Sequence, residues 1–227
     1  MNLSKCSRYC LVVVVAGALA ACQAVPTSAS NIVSWKLDNL QSVDGHAPVI
    51  QGAPKSVNDT SGKALLFNGS SDGLIFPMVP IAGMKAFTIE VLFFPQSGGL
   101  PEQRFVHAED EAMNRLTMET RLFPTGQWAF DTFLLSGASR LSIYNATKLH
   151  PADHWYWVAL RYDGATMTSF INGVKEGEGP VVFPAMKENG KISIGVRQNL
   201  VGWFKGLIRE ARFTPEALPD SALQRVP

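Results

Sequence analysis

Apolar residues recur at every second position over many short stretches of this chain, and that period predicts strands. The clearest case runs from Trp155 to Gly173. Val158, Leu160 and Tyr162 alternate with Trp157, Ala159 and Arg161, Asp163-Gly164 forms a turn that tolerates positive φ, and Asn172-Gly173 forms another after the return strand; the stretch predicts a β-hairpin. Such a pair needs a facing sheet to cover its apolar side. Further strands are predicted over Ile32 to Leu37, Lys63 to Gly69, Gly73 to Phe76, Phe87 to Phe94, Arg104 to His107, Leu116 to Leu122, Gln127 to Leu134, Arg140 to Tyr144, Val174 to Glu178, Lys191 to Val196 and Trp203 to Phe213. Phe87 to Phe94 is largely apolar on both sides, which predicts a central strand. Leu116, Met118, Thr120 and Leu122 alternate with Thr117, Glu119 and Arg121, so a Glu and an Arg share one sheet face. Asp38 to Asp59, rich in Gly, Pro, Asn and Asp, reads as irregular edge structure. Thr214-Pro215 predicts a one-turn helix stopped by Pro219, and Asp220 to Val226 another short turn.

Many short strands separated by turn residues, with almost no helix, predict an all-β protein built as an antiparallel two-sheet β-sandwich. Composition agrees: 227 residues that are 46% hydrophobic suffice for one domain of that size. A formal net charge of +1, with basic residues scattered among acids, argues against nucleic acid as a partner.

The N-terminus reads as a targeting segment. Lys5 and Arg8 precede a short apolar run from Leu11 to Leu19, too short to span a bilayer, and Leu19-Ala20-Ala21-Cys22 closes it. The last four residues resemble the lipobox of bacterial lipoproteins, which implies cleavage of residues 1–21 and lipid attachment at Cys22. Cys6 and Cys10 fall in the removed part and no cysteine follows Cys22, so the mature chain carries one thiol and no disulfide. An ordinary secretory signal cut near Ala20 or Ala24 is the alternative. Gln23, by analogy with lipoprotein sorting, implies the outer membrane. Residues 22–31, small and polar, form a tether; 32–216 form the domain and 217–227 a C-terminal tail.

Gly62 to Phe76, Phe87 to Val91, Trp155 to Gly164, Phe170 to Gly173, Ile192 to Gly195 and Phe204 to Phe213 resemble, in order and spacing, the successive motifs of the laminin-G-like, concanavalin A-like jelly rolls. The resemblance implies two curved antiparallel sheets and a domain that binds sugars, proteins or lipids. Some members use acidic loops for Ca²⁺. Asp59, Asp72 and Glu210 are the acidic candidates here, but Arg209 precedes Glu210 where members often carry Asp, and a cation there is repelled. Calcium is therefore disfavoured while remaining the alternative, and no other metal or cofactor is expected.

The same superfamily contains glucanases and polysaccharide lyases, so an enzyme is the runner-up reading. Retaining glycosidases need two carboxyls about 5–5.5 Å apart. Glu109-Asp110-Glu111 lacks the laminarinase-like spacing and reads as a solvated turn, and Glu119 and Asp131 face each other only if their strands take the right register. His150 and His154 read as loop residues without a third ligand, while His46 and His107 are isolated. Phosphate-loop, dinucleotide and nucleophile-elbow motifs are absent from the sequence, and no catalytic residue is assigned.

Binding is the function that remains. Trp157, Arg161 and Phe170, beside the strand of Glu119 and Arg121, would make a platform on which sugar rings stack and hydrogen-bond; the alternative is that loops cover these aromatics. The expectation is a lipid-anchored envelope protein that binds a glycan or a partner protein. A polysaccharide-active enzyme and a purely structural envelope lipoprotein are the alternatives.

Overall fold

The computed structural model describes residues 32–59 and 62–226; the targeting segment, Cys22 and the tether lie outside the described residues. The described residues form sixteen strands: β1 Val33–Lys36, β2 Val49–Gln51, β3 Lys55–Asp59, β4 Gly62–Asn68, β5 Gly73–Phe76, β6 Phe87–Pro95, β7 Glu102–Asp110, β8 Arg115–Leu122, β9 Gln127–Ser136, β10 Ser139–Tyr144, β11 His150–Pro151, β12 Tyr156–Tyr162, β13 Thr166–Ile171, β14 Val174–Pro180, β15 Gly190–Ile194 and β16 Lys205–Thr214. The 3₁₀ turn Asp220–Ala222 is the only helical element among them.

The strands make two eight-stranded sheets. The first runs β14-β13-β12-β6-β16-β4-β3 with β1 added on β16, and the second β10-β9-β8-β7-β15-β5-β2 with β11 added on β9. Every strand pair within them is antiparallel. β6 lies between β12 and β16, the central place its two apolar sides predict.

Alternation sends one side of each strand into the space between the sheets. Phe93 of the first sheet stacks on Phe105 of the second with ring centroids 4.5 Å apart, and Trp128 meets Phe93 edge-on at 5.2 Å. At the other end Trp35 packs on Phe76 at 4.5 Å. Trp35, Phe93, Phe105 and Trp128 are fully buried, and removal of such rings from water supplies most of the cohesion.

Two local expectations fail. Thr214 does not cap a helix; it is the buried last residue of β16, paired with Thr88, because sheet hydrogen bonds outweigh the capping preference. Glu109 and Asp110 are not in a solvated turn but end β7. Asp110 is buried and accepts hydrogen bonds from the amides of Ala112, Asn114 and Lys187 and from Asn114 Nδ2, closing the turn into β8.

Candidate functional site

The outward sides of the two sheets differ. On the first, Trp157, Ala159 and Arg161 of β12 and Thr168 and Phe170 of β13 point away from the core, as the hairpin pattern predicts. Residues 216–226 lie across them. Leu223 is buried against Ala159 and Phe170, and Leu218 packs beside it. Arg161 stacks on Phe170 at 4.6 Å and donates from Nη1 to the carbonyl of Leu218 and to Asp220. Thr88 bonds the chain at Glu216 and Leu218, and the amide of Gln224 donates to Glu90 Oε1 at 2.7 Å. Burial raises the pKa of Glu90, against the lowering effects of the Gln224 amide and Arg212.

The expected platform is therefore not formed as one surface. Trp157, Arg161 and Phe170 belong to the first sheet, Glu119 and Arg121 to the second, and both groups point away from the core on opposite sides of the molecule. Phe170 is completely buried and Trp157 is 9% exposed.

The outward side of the second sheet holds a basin of about 270 Å³ lined by Arg104, Arg115, Thr117, Glu119, Arg121, Asp131, Phe133, Ser142 and Arg197. Antiparallel pairing puts Glu119 of β8 opposite Arg104 of β7 on one side and Asp131 of β9 on the other. The register shift between Arg104 and Val106 inserts Phe105 as an extra inward residue, so Arg104 and His107 share the outward side despite their odd spacing.

Arg197 arrives from the turn after β15. The turn closes with a bond from the Arg197 amide to the Val201 carbonyl, and the Arg104 amide donates to the carbonyl of Gly202 at 2.8 Å. A Cβ on Gly202 would stand 2.5 Å from Arg104 Cδ, and its φ of +67° suits glycine, so this residue lets the turn close over β7.

Charges in the basin are partly matched. Arg104 Nε lies 3.1 Å from Glu119 Oε1. Arg121 donates from Nε and Nη2 to Asp131 Oδ2 at 2.8 and 2.6 Å, and Ser142 Oγ donates to Asp131 Oδ1 at 2.8 Å. Arg121 also pairs with Glu102. Burial pushes the Glu119 carboxyl up from its ordinary range; Arg104 and Arg121 oppose that and Asp131 adds to it. His107, fully buried beside this group, is held neutral: burial and then Arg197, Arg115 and Arg104 bring its pKa down to about 3. Arg197 is itself lowered, by burial and by repulsion from Arg115 and Arg104. Phe133 lies under the Arg115 guanidinium at 5.2 Å, and Tyr144 under that of Arg121 at 5.7 Å.

The calcium candidates stand apart from this basin and from one common site. Asp59 accepts from Trp155 Nε1 and Arg209, Asp72 accepts the amides of Ala53 and Asn68, and Glu210 pairs with Ser34 and Lys36. Among the described residues no three His, Cys, Asp or Glu side chains gather as metal ligands. Arg104, Arg115, Phe133, Ser142 and Arg197 are the site residues that the sequence did not single out.

Residues 68–224 match the family described as the concanavalin A-like lectin/glucanases superfamily, Laminin_G_3. The chain belongs to this superfamily. Solved structures with this fold include domain 4 of AbnA, a GH43 extracellular arabinanase from Geobacillus stearothermophilus, in complex with arabinotriose (TM-score 0.64, 21% identity, 85% of this chain and 96% of that one). They also include the native heptameric SAP-like pentraxin from Limulus polyphemus (TM-score 0.54, 17% identity, 68% and 76%). The binding domain of botulinum neurotoxin DC in complex with rat synaptotagmin II aligns at TM-score 0.57 and 12% identity, over 83% of this chain and 49% of that one. No curated protein sequence matches. At these identities the solved structures establish the concanavalin A-like fold and leave the ligand to be argued from the basin.

Proposed function

We propose that this superfamily member is a binding module, and that its ligand is a glycan held in the basin on the outward side of the second sheet. The observation that carries the reading is the basin itself: guanidinium groups, two carboxylates, Thr117 and Ser142 converge with Phe133 on an open sheet face, where a sugar finds both stacking surface and partners for its hydroxyls. A saccharide ligand on one solved relative by fold and a protein ligand on another are in keeping with a recognition role. The test is titration of the full chain, in detergent, with neutral and acidic oligosaccharides. Saturable binding that is lost in Phe133→Ala supports the reading; no binding to any of them, or binding untouched by that change, sinks it. Capture of an envelope protein through the same face would make the ligand a protein.

Glu119 and Asp131 face each other across β8 and β9, which favours a second reading, a glycoside hydrolase. The ion pairs weigh against it. Both Asp131 oxygens accept hydrogen bonds, from Arg121 and Ser142, so no free nucleophile stands beside Glu119. Release of reducing ends from a polysaccharide, abolished by Glu119→Gln, would reverse the preference.

The basic start, the short apolar run and Leu19-Ala20-Ala21-Cys22 support placing this module in the bacterial cell envelope, anchored in the outer membrane by lipid at Cys22.

A further inference from the structure

We propose that the basin selects an anionic saccharide, with the sugar's carboxylate seated on Arg115 and Arg197; the inference rests on the reading of the basin as a glycan site and names the chemical class it takes. Four guanidinium groups line the basin against two carboxylates. Arg104 is engaged by Glu119 and Glu102, and Arg121 by Asp131, Glu119 and Glu102. The other two are not balanced in this way. Arg115 reaches a carboxylate, that of Glu109, only at 4.0 Å, and otherwise lies on Phe133. Arg197 has no ion pair among the described residues, although it is partly buried, and the repulsion it feels from Arg115 and Arg104 exceeds the attraction of Glu109 and Glu119. Two like charges held together at a half-dry surface repel, and an arriving anion removes that repulsion while accepting their paired N–H groups.

A second observation points to a polyhydroxylated ligand. Glu119 is 7% exposed and lines the basin, yet its Oε2 has no hydrogen-bond partner among the described residues and stands 3.5 Å from Arg121 Nη2. A buried carboxylate oxygen whose nearest donor is an ion-pair partner at 3.5 Å is costly, and a small rotation of the Glu119 side chain into the basin lets a sugar hydroxyl donate to it. The neighbouring His107 is neutral and so adds no further positive charge beside the arginines, and both its ring nitrogens are also without hydrogen-bond partners. An acid group to meet Arg115 and Arg197, hydroxyls to meet Glu119 and Ser142, and a ring face to cover Phe133 occur together in a uronic acid. The volume of about 270 Å³ suits one sugar unit of a longer chain rather than a fully enclosed oligomer.

The test is isothermal titration of the full chain, in detergent, with four ligands: oligogalacturonate, the same oligomer with its carboxylates reduced to alcohols, a neutral arabino-oligosaccharide and a sulfated oligosaccharide. The expected result is at least tenfold preference for oligogalacturonate over its reduced form, weakening with added salt. Arg115→Gln and Arg197→Gln each lower oligogalacturonate affinity at least tenfold, Arg197→Lys less so, and Lys63→Gln on the first sheet leaves it unchanged; melting curves verify that each variant is folded. Equal binding of the reduced or neutral oligomer, or full affinity in both Gln variants, overturns the anionic class while the glycan reading stands. Binding of the sulfated ligand alone also overturns it, by replacing the carboxylate with a sulfate ester. Binding of none of the four removes the glycan reading together with the inference.

Discussion

Glu119 and Asp131 stand opposite each other on adjacent strands, and one side chain, Arg121, reaches both: its Nη2 lies 3.5 Å from Glu119 Oε2 and 2.6 Å from Asp131 Oδ2. Cross-strand like charges repel, and burial strengthens that repulsion. Arg121 is what allows the two carboxylates to share this sheet face, with Arg104 holding Glu119 from the other side.

Arg121→Gln is therefore expected to destabilise the fold at pH 7 by about 2–3 kcal/mol, just under the cost of removing one member of a fully buried ion pair because the Arg121 side chain keeps 26% exposure. The loss narrows at acidic pH. Burial already raises the pKa of Glu119, and without Arg121 that carboxyl takes a proton at still higher pH, which ends the repulsion. Urea unfolding at pH 7 and pH 4.5 measures this, and an equal loss at both values contradicts it.

The strands of this face were readable from alternation, but its composition was not. Leu116 to Leu122 shows which side of β8 is polar; it does not show which sheet β8 joins, and so Glu119 and Arg121 looked compatible with the neighbourhood of Trp157. The pairing of Glu119 with Asp131 follows from the turn Phe123 to Gly126, whose length and positive φ at Gly126 fix the register. Arg104 was hidden for another reason: the bulge at Phe105 breaks the period of two, and nothing local announces it. Arg197 comes from a turn distant in sequence. Hairpin turns and core aromatics act locally, whereas the basin depends on which strands meet.

Acid should weaken the fold through His107. The native state keeps this residue neutral down to about pH 3, while in the unfolded chain it takes a proton near its ordinary value of 6.5. Between those two values the unfolded state binds more protons, so stability falls as pH falls. Glu90 and Glu119 act in the opposite sense, because their raised pKa values make the native state the better proton binder as pH drops toward the ordinary carboxylate range. Comparing melting temperatures of the wild type and His107→Leu at pH 7 and pH 4.5 isolates the histidine: the variant is expected to gain on the wild type as pH falls. Parallel pH profiles would exclude it.

Cys22→Ser is expected to abolish metabolic labelling with fatty acid and to move the protein out of the membrane fraction, since Cys22 is the sole thiol past the apolar run. Unchanged fractionation, with labelling retained elsewhere, removes the lipid anchor.

The segment after β16 is expected to behave as part of the fold rather than as an appendage. Leu223 is 4% exposed on a small cluster with Ala159 and Phe170, and its loss uncovers a fully buried aromatic ring. Leu223→Ala should cost about 2 kcal/mol, at the low end for a buried leucine because this cluster lies at the molecular surface and can partly collapse. Deleting residues 219–227 should cost more. It also removes the Gln224 amide from Glu90 and the Asp220 carboxylate from Arg161, leaving a buried acid and a stacked guanidinium without those partners. The exposed strip of Ala159, Phe170 and Trp157 should then bind a hydrophobic dye and promote association, because an apolar sheet face without cover is adhesive. Urea unfolding and dye fluorescence of the two variants measure both effects. If the deletion left stability and dye binding at wild-type levels, the tail would be a loose cover, and Trp157 and Phe170 would again be available as a binding platform. Dye binding that rises with a lower unfolding midpoint shows those aromatics to be packing covered by the C-terminal segment, and favours the basin on the opposite sheet as the place of recognition.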